Sequence, residues 1–600
     1  MSRALLRTAL ALLAVPAAAA AAPVRALPPA TPPAVSEVAP GVGYQRIVQA
    51  DGQVVHVVSG AASPRISLAP ALAAGSPIRR GSLTGAVGAR LTAGAVAGIN
   101  GDLFSYATGN PSGVLMVGGE LVSEPEGSRS ALVLLPGGGL DAIALALQGR
   151  FQGLDPATGA GVTATRAFSG INRSAGRSGE TLLYTPAYGA LTTPAGASRY
   201  EIRVRLDQPG PLQANQAVAG TVVGTGAGGG ATIGAGHVVL TAVGSAGPAL
   251  VSDYPLGRRI VVSPALLSLP PGAVDAIGGG PALVRGGVAI SRAGEGFSGS
   301  QTDGRTSRSA VGLRADGTRL LVTAEGPVQG SPGVTVAEQA ALMVSLGAVT
   351  AIAMDGGGSA QLAVRDDLVI PWSGPRSLSD VVLMNYDGVT LEPPPFRLSA
   401  NADRVDDAAT LVVRATRPGV TRVSVARKSG RPTKRLWQSR LGPGAAAVRL
   451  DPRRLRLGDG VYIVVARHEA DDGSGVTEQR RRIIFDRTLS SLNARPSTRR
   501  VGRRTEPRLT VGFRLLRPAR VTVRVRSASG QPITTLVSGR VLRTGARSVT
   551  WNRKVRAALI SGTVEVTVEA RTRYGTTGLV REVTLKKPPT PPRPPTPARP

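Results

Sequence analysis

Three acidic residues stand where short apolar stretches give way to glycine-rich or turn-forming sequence. They are Asp102, Glu325 and Asp355. Pairs of carboxylates supply the general acid, general base or nucleophile in glycoside hydrolysis. The three histidines, His56, His237 and His468, lie in unrelated segments. Since neither a histidine triad nor a histidine metal site is indicated, we expect acid or base chemistry to come from the three carboxylates.

Glycine-rich turns accompany these carboxylates. Three glycines and a hydroxyl follow Asp355, and consecutive glycines let backbone NH groups converge on an oxyanion. The run is no nucleotide-binding P-loop, because no lysine follows Gly358. A tight turn without a ligand is the alternative. The candidate substrate- or phosphate-binding residues in these turns are Asn100, Gly101, Gly278, Gly279, Gly280, Gly356, Gly357, Gly358 and Ser359.

Arg308 is the candidate phosphate clamp, because a guanidinium pairs with phosphate through two parallel hydrogen bonds. It precedes a predicted β-hairpin with strands near 309–313 and 319–324, and Glu325 ends the second strand. A surface salt bridge is the alternative role for either residue. No metal or cofactor is required by this set of residues, although clustered carboxylates can hold a divalent cation.

The elements that position these residues follow from the apolar pattern. Thr335 and Glu338 form a capping box that predicts a helix start, and Gly347 predicts its end before a strand leading to Asp355. Two other Gly-Ala-Val stretches, beginning at Gly94 and Gly272, also run into polar or glycine-rich turns. If the three strands are neighbours, their turns meet at one sheet edge, where α/β folds usually bind ligands.

The chain has 600 residues, which predicts three or four domains, and it contains no cysteine. Its basic, apolar and small-residue beginning predicts a cleaved signal peptide over residues 1–25, with a membrane anchor as the alternative. A proline-rich linker (26–40) precedes the first domain (41–390). A basic proline-rich tail (587–600), expected to be disordered, ends the chain. We expect the protein to be secreted, either free or associated with the cell wall, with no transmembrane segment after signal cleavage.

An internal repeat of about a hundred residues follows the first domain. The sequence RPGVTRVSVARKSGRP from Arg417 is echoed by RPARVTVRVRSASGQP from Arg517. Alternating apolar and polar residues between turns predict antiparallel strands, so we expect two β-sandwich modules, at 396–488 and 496–586. They resemble the immunoglobulin-like modules often appended to bacterial extracellular enzymes.

Residues 401–600 carry 43 Lys and Arg against 14 Asp and Glu, whereas the first 400 residues are nearly neutral. This asymmetry favours an anionic partner for the last third, such as a cell-wall polymer. Base composition of the genome is the alternative explanation. We expect no nucleic-acid partner, because no motif of that kind is present.

Four ordered blocks together resemble the phosphodiester glycosidase family, over about residues 41–387. They are AVAGINGDLFSYATGNPSGVLMVGGELV, AIGGGPALVRGG, SRSAVGLRADGTRLLVTAEGPVQGSPGVTVAEQAALMVSLGAVTAIAMDGGGSAQLAV and RSLSDVVLMNY. That family includes the enzyme that uncovers mannose 6-phosphate by removing N-acetylglucosamine. The resemblance implies an α+β domain with a mixed sheet and an inserted lobe at about 140–270.

The resemblance also implies an activity, hydrolysis of the glycosyl-phosphate bond of a sugar 1-phosphodiester. The family's turns correspond to Asn100 to Asp102, Gly278 to Pro281 and Asp355 to Ser359, and its arginine to Arg308. Two departures are visible: Glu325 stands where the family more often has Asp, and the aromatic pair is reduced to Leu103-Phe104. The alternative is a non-catalytic protein that grips anionic envelope polymers through its basic modules.

Overall fold

A computed structural model gives the architecture. It describes residues 25–26, 35–155, 158, 162–174, 176–193, 198–290, 295–370, 374–392, 397–427, 432–502, 504–556 and 558–587. The predicted signal peptide, except Arg25, and the predicted tail, except Lys587, lie outside these residues.

The structure is multidomain and mostly β, so the predicted α+β class of the first domain is wrong. The α-helices in the described ranges are short: Leu83–Gly88, Gly247–Asp253, Gly299–Asp303 and Val336–Ser345. The last of these has the predicted Thr335–Glu338 capping box, and Gly347 follows its end with a positive φ of 84°. The helix signal was therefore sound. The class prediction failed because that helix covers one small patch of a sheet built from antiparallel hairpins.

The central sheet has eight strands, and each neighbouring pair is antiparallel. It includes the predicted hairpin around the 315–317 turn. In spatial order the strands are Val35–Ala39, Val42–Val48, Val54–Gly60, Arg319–Ala324, Arg308–Arg314, Ala348–Ala353, Ala282–Arg285 and Val288–Ala289.

Two five-stranded sheets pack with the central sheet around a common core. The companion sheet has the order Asp367–Leu368, Leu362–Val364, Ala95–Asn100, Asp380–Tyr386 and Ile66–Leu72. The bridging sheet has the order Leu140–Ala144, Ser130–Leu134, Asp275–Gly278, Leu115–Val117 and Glu120–Ser123. Val311, Ile99 and Ile277, one from each sheet, are fully buried in the same cluster. Burial of apolar surface between the three sheets is therefore what holds their strand ends together.

A fourth sheet, here called the lobe sheet, is formed by residues 146–267, and it shares its apolar core with the bridging sheet through Met116, Val133 and Ala276. Its eight strands are Val162–Phe168, Ala146–Leu154, Arg259–Leu267, Val218–Ala227, Arg199–Leu206, His237–Val243, Thr181–Tyr184 and Gly170–Ile171.

The last third contains two all-β units with the same arrangement, a three-stranded sheet facing a five-stranded one. In the first unit these are Val389–Leu391, Ala409–Ala415 and Gly444–Leu450, then Arg397–Leu398, Val476–Phe485, Gly460–Ala470, Gly419–Arg427 and Pro432–Leu441. In the second they are Leu489–Val501, Arg504–Leu515 and Gly545–Trp551, then Arg25–Ala26, Gly575–Leu585, Gly562–Thr572, Ala519–Ser527 and Pro532–Leu542. The strands Lys554–Val555 and Ala558–Leu559 form a separate pair.

Short 3₁₀ turns complete the described elements, at Leu91–Ala93, Pro136–Gly138, Gly244–Ala246, Pro327–Gln329 and Gly357–Ser359. Throughout the described ranges, no helix has the length and apolar character needed to cross a membrane.

Candidate active site

The three glycine-rich turns meet, although the strands before them are not neighbours. Each strand belongs to a different sheet. The backbone NH of Asp355 nevertheless donates to the carbonyl of Gly101 at 3.0 Å, and the NH of Gly280 donates to the carbonyl of Ala353 at 2.9 Å. The site therefore lies where three sheet ends converge, and the expectation of one shared sheet edge is wrong.

A pocket of about 390 Å³ opens at this junction. We call it the first pocket. Several predicted site residues line it, and part of its wall is apolar. Its lining includes Gly280, Phe297, Arg308, Asp355, Gly356 and Gly357.

Asp355 is the acidic residue that lines the first pocket. Burial raises the pKa of its carboxyl to about 6. The nearby Asp102 charge adds to this increase, whereas a hydrogen bond from the Ser359 hydroxyl and the charge of Arg129 oppose it. Asp355 therefore changes its protonation state within one or two pH units of neutrality, which suits acid or base chemistry.

Arg308 lines the same pocket, but most of its NH groups already donate to backbone carbonyls of the protein. Its Nε donates to the carbonyl of Val334, and Nη2 donates to those of Gln301 and Gly304, each at 2.8 Å. Within the described ranges Nη1 has no hydrogen-bond partner, and it lies 3.8 Å from the position a Cβ on Gly356 would occupy. The predicted two-pronged phosphate clamp is therefore corrected to a single guanidinium nitrogen that faces the pocket.

Asp102 lies beneath the pocket and does not line it. Its side chain is fully buried and paired with Arg129, with 2.7 Å between Oδ1 and Nη2. Backbone NH groups of Leu103 and Gly113 donate to its two oxygens at 2.7 and 2.6 Å. Burial raises the pKa of Asp102 to about 6 against the opposing effect of Arg129. With both oxygens already bonded, Asp102 is placed to anchor Arg129 and the turns around it.

Asp380 is a buried acid that the sequence reasoning did not single out. Its Oδ1 accepts from the backbone NH of Asp102 at 2.7 Å, and its Oδ2 is buried without a partner in the described structure. Burial and the charges of Asp102 and Asp355 raise its pKa well above the ordinary range. The signal was available, because Asp380 opens an apolar strand within the fourth family block.

Asn100 braces the Asp355 turn. Its Nδ2 donates to the carbonyl of Asp355 at 2.8 Å, and its Oδ1 accepts from the backbone NH of Gln361 at 3.0 Å. The side chain is completely buried. Its predicted role as a substrate-binding residue is therefore corrected to one of support.

Gly101 and Gly278 are required by close packing. A Cβ on Gly101 would lie 2.1 Å from Oδ1 of Asp380, and one on Gly278 would lie 2.3 Å from Oδ2 of Asp102. Gly279, a third glycine, accepts at its carbonyl from Arg129 Nη2 at 3.2 Å. These three glycines lie outside the lining of the first pocket, whereas Gly280 lines it.

The far end of the Asp355 turn is also held by the protein. Ser359 is fully buried, and its Oγ accepts from Nη1 of Arg376 at 3.3 Å. A Cβ on Gly358 would lie 2.8 Å from Nη2 of Arg376. The guanidinium carbon of Arg376 lies 4.7 Å from the centre of the Tyr106 ring, a cation–π contact. Gly358 and Ser359 thus fix the turn, while Gly356 and Gly357 face the pocket.

Glu325 lies outside the first pocket, contrary to the expectation that it faces the substrate. It is 3% exposed, and its Oε1 lies 2.7 Å from Nε2 of His56. Nδ1 of His56 lies 2.8 Å from the hydroxyl of Tyr44. Burial lowers the pKa of His56, against the effect of Glu325. A neutral imidazole that donates to Glu325 and accepts from Tyr44 satisfies all three groups. The sequence interpretation missed this pair because its members are 269 residues apart.

No group of three or more acidic or histidine side chains in the described structure is arranged to hold a metal ion.

Residues 213–384 match the family model of phosphodiester glycosidases. This confirms the resemblance over that stretch, which contains Gly280, Arg308, Glu325 and Asp355 but not Asp102. The matched stretch is less than a third of the chain.

Particular relatives are distant or short matches. The SPbeta prophage-derived uncharacterized protein YomE of Bacillus subtilis (strain 168) is 35% identical over 81 residues, which are 13% of this chain and 13% of that relative. A hypothetical protein from Synechocystis is 22% identical with a TM-score of 0.49, covering 60% of this chain and 64% of the other. The zebrafish N-acetylglucosamine-1-phosphodiester alpha-N-acetylglucosaminidase catalytic domain, auto-inhibited by its pro-peptide, is 13% identical with a TM-score of 0.29, covering 61% and 88%.

Proposed function

We propose that the first domain hydrolyses the glycosyl-phosphate bond of a sugar 1-phosphodiester. The observation that carries the proposal is the first pocket, where a carboxylate, Asp355, shares one cavity with a guanidinium nitrogen of Arg308 and the backbone of Gly280. The family match over residues 213–384 supports the same reaction class.

In the proposed reaction, the bond between the anomeric carbon and the phosphate oxygen breaks. The electron pair leaves with the phosphate monoester, and water supplies the hydroxyl of the released sugar. A phosphate monoester is a good leaving group, so the reaction depends mainly on activation of the water. Asp355, ionised above about pH 6, accepts the water's proton. Nη1 of Arg308 binds the phosphate, because the NH groups of Gly280 and Gly357 already donate to the carbonyls of Ala353 and Ser307.

The test is a panel of sugar 1-phosphodiesters and UDP-sugars, with released sugar as the readout. We expect turnover by the purified protein and a loss of about a hundredfold or more in Asp355→Asn, the usual size of an acid–base contribution. Asp366→Asn is the matched control, because Asp366 is exposed and does not line the pocket. Absence of turnover on every substrate would reject the proposal.

We further propose that the protein is exported and that residues 401–600 bind an anionic cell-envelope polymer. Two observations support this proposal. The region has a large net positive charge, and the second all-β unit contains a long hairpin formed by Leu489–Val501 and Arg504–Leu515. The third strand of the sheet that contains this hairpin, Gly545–Trp551, pairs only with Leu509–Leu515, so the rest of the hairpin extends beyond that strand. Arg499 and Arg508 lie there, and Arg495, opposite Thr510 next to the third strand, is on the same face by strand register.

Each of these arginines can pair with phosphate on a polyanion, with an affinity that falls as salt rises. Deleting residues 401–600, or replacing the three arginines with glutamate, should abolish salt-sensitive retention on anionic wall material. Arg177→Glu, in the lobe sheet region, is the control. If the full protein binds the polymer but hydrolyses no phosphodiester, a non-catalytic binding protein becomes the better account.

A further inference from the structure

A second pocket, of about 210 Å³, lies at the opposite end of the central sheet from the first. Arg319 lines this pocket and begins the strand Arg319–Ala324. Ala324, at the other end of the strand, pairs with Arg308, which lines the first pocket. The strand has six residues, a length of about 17 Å, so the second pocket is separate from the candidate active site. The proposed reaction makes no use of it.

Arg319 is a buried cation without an acidic partner in the described part of the chain. It is 5% exposed, and burial alone lowers the pKa of its guanidinium. Its one hydrogen bond among the described residues joins Nη1 to the carbonyl of Ala61 at a long 3.4 Å, so Nε and Nη2 have no partner there. A buried guanidinium with unmade hydrogen bonds is costly, and an anionic group of a ligand would satisfy it.

A glycine-rich turn places the guanidinium at the pocket wall. Gly137 and Gly138 have positive φ values of 77° and 87°. A Cβ on Gly138 would collide with Nη2 of Arg319. Because Gly138 also lines the second pocket, Nη2 lies at its surface, where a ligand can reach it.

Asp275 is the acidic residue of the same lining. The backbone NH of Gly118 donates to its Oδ1 at 2.8 Å, and within the described ranges Oδ2 has no hydrogen-bond partner. Burial raises the pKa of this carboxyl, and the hydrogen bond from Gly118 opposes the increase. Arg319 does not contribute to this shift, so the two charged groups line one pocket without pairing with each other.

The rest of the wall is mostly apolar. Leu68, Leu134, Leu140 and Val274 all line the pocket. Its volume is below the range of about 300–1,000 Å³ that is typical of sites for drug-sized ligands, so a smaller molecule fits it. The lining therefore offers one positive group, one negative group and a surface for a short apolar side chain.

We propose that the second pocket binds an α-amino acid with an apolar side chain, with its carboxylate on Arg319 and its ammonium group on Asp275. A carboxylate pairs with a guanidinium through two parallel hydrogen bonds. An amino acid carries one charge of each sign, so it pairs both side chains and adds no net charge to the pocket. A simple carboxylic acid or amine would leave Asp275 or Arg319 without a partner, which is costly in a buried site. The inference is independent of the proposed hydrolysis.

The test is isothermal titration calorimetry of the full-length protein with L-valine, L-leucine and L-phenylalanine. We expect at least one of them to bind at one site per chain. The amino acid that binds best is then compared with the matching acid that lacks the amino group and the matching amine that lacks the carboxylate. Each analogue should bind at least about tenfold more weakly, as loss of a charged hydrogen bond predicts.

Two variants locate the binding site. Arg319→Met keeps the buried stem and removes the charge, whereas Asp275→Asn keeps an acceptor for the NH of Gly118. Each should lower the affinity by about tenfold or more. Arg46→Met is the matched control, because Arg46 is an exposed arginine of the same sheet outside the pocket. Thermal unfolding shows which variants are folded, and Asp275→Asn decides the question if Arg319→Met is not.

Three results would overturn the inference. They are no binding of any of the three amino acids at about 1 mM, binding of the simple acid as tight as that of the amino acid, and unchanged affinity in Asp275→Asn. None of these results would bear on hydrolysis in the first pocket, so the proposed function is tested separately.

Discussion

The backbone NH of Asp102 donates to Oδ1 of Asp380 at 2.7 Å, so the turn after one strand of the companion sheet is joined to the start of the neighbouring strand beneath the candidate active site. Both carboxyls are buried, and the charge of Asp102 opposes ionisation of Asp380. Arg129 supplies the compensating positive charge through its pair with Asp102. The floor of the site is therefore an electrostatic cluster whose protonation depends on pH.

The first prediction concerns stability. The pKa of Asp380 is raised in the folded protein, so protonation of this carboxyl stabilises the fold. This stabilisation is present below about pH 4, the ordinary pKa of an aspartate, and is lost as the pH rises through the raised pKa of the folded protein. Asp380→Asn keeps the oxygen that accepts from Asp102 and cannot ionise. The free energy of unfolding of the variant, relative to the wild type, should therefore increase between pH 4 and 7, by a few kcal/mol in order of magnitude. Urea unfolding at each pH measures it, and a difference that is constant with pH would contradict the cluster.

The second prediction concerns the pH dependence of the reaction. Since Asp355 must be ionised to accept a proton, kcat/KM should fall below about pH 6. The positive charge of Arg129 lowers the pKa of Asp355, so Arg129→Met should move this inflection to higher pH. A pH–rate profile measures both effects, with Arg177→Ala as the control expected to leave the inflection in place. An inflection that stays fixed when Arg129 is removed would argue against Asp355 as the titrating group.

The third prediction concerns the glycines. Ala at Gly278 would bring a Cβ to 2.3 Å from the Asp102 carboxylate, and Ala at Gly101 would meet Asp380 at 2.1 Å. Each change should lower the free energy of unfolding by about 1–3 kcal/mol, the usual cost of overpacking. Gly210→Ala is the control, because no heavy atom lies within 4 Å of its Cβ position. Thermal unfolding measures all three, and wild-type stability in Gly278→Ala would refute the packing described for Asp102.

The fourth prediction separates Glu325 from the chemistry. Glu325→Ala leaves the NH of the buried, neutral His56 imidazole without its acceptor, so the free energy of unfolding should fall by about 1–3 kcal/mol, the usual cost of a buried donor left unsatisfied. Glu325→Gln keeps a hydrogen-bond acceptor, and we expect its kcat to stay within about tenfold of the wild type. Asp355→Asn, measured beside it, should lose about a hundredfold or more. Equal losses of kcat in Glu325→Gln and Asp355→Asn would show that Glu325 is a catalytic residue after all.

Local features were predictable from the sequence, and distant contacts were not. The helix capped by Thr335 and the hairpin before Glu325 follow from residues a few positions apart, and the structure contains both. The contact between Asp102 and Asp380 joins residues 278 positions apart, at the ends of two neighbouring strands of the companion sheet, and the sequence pattern carries no information about it. The glycine turns were predicted from the sequence. Their convergence was not, because it depends on how three sheets pack together. The same packing places Asn100 and Ser359 beneath the site, where they support it.

The central claim is that the bond between the sugar and the phosphate oxygen is broken. Hydrolysis of a sugar 1-phosphodiester in water enriched in ¹⁸O tests it directly, because mass spectrometry shows which product receives the label. We expect ¹⁸O in the released sugar and none in the phosphate monoester. Label in the phosphate would mean attack at phosphorus, and the domain would then be a phosphodiesterase of a different kind.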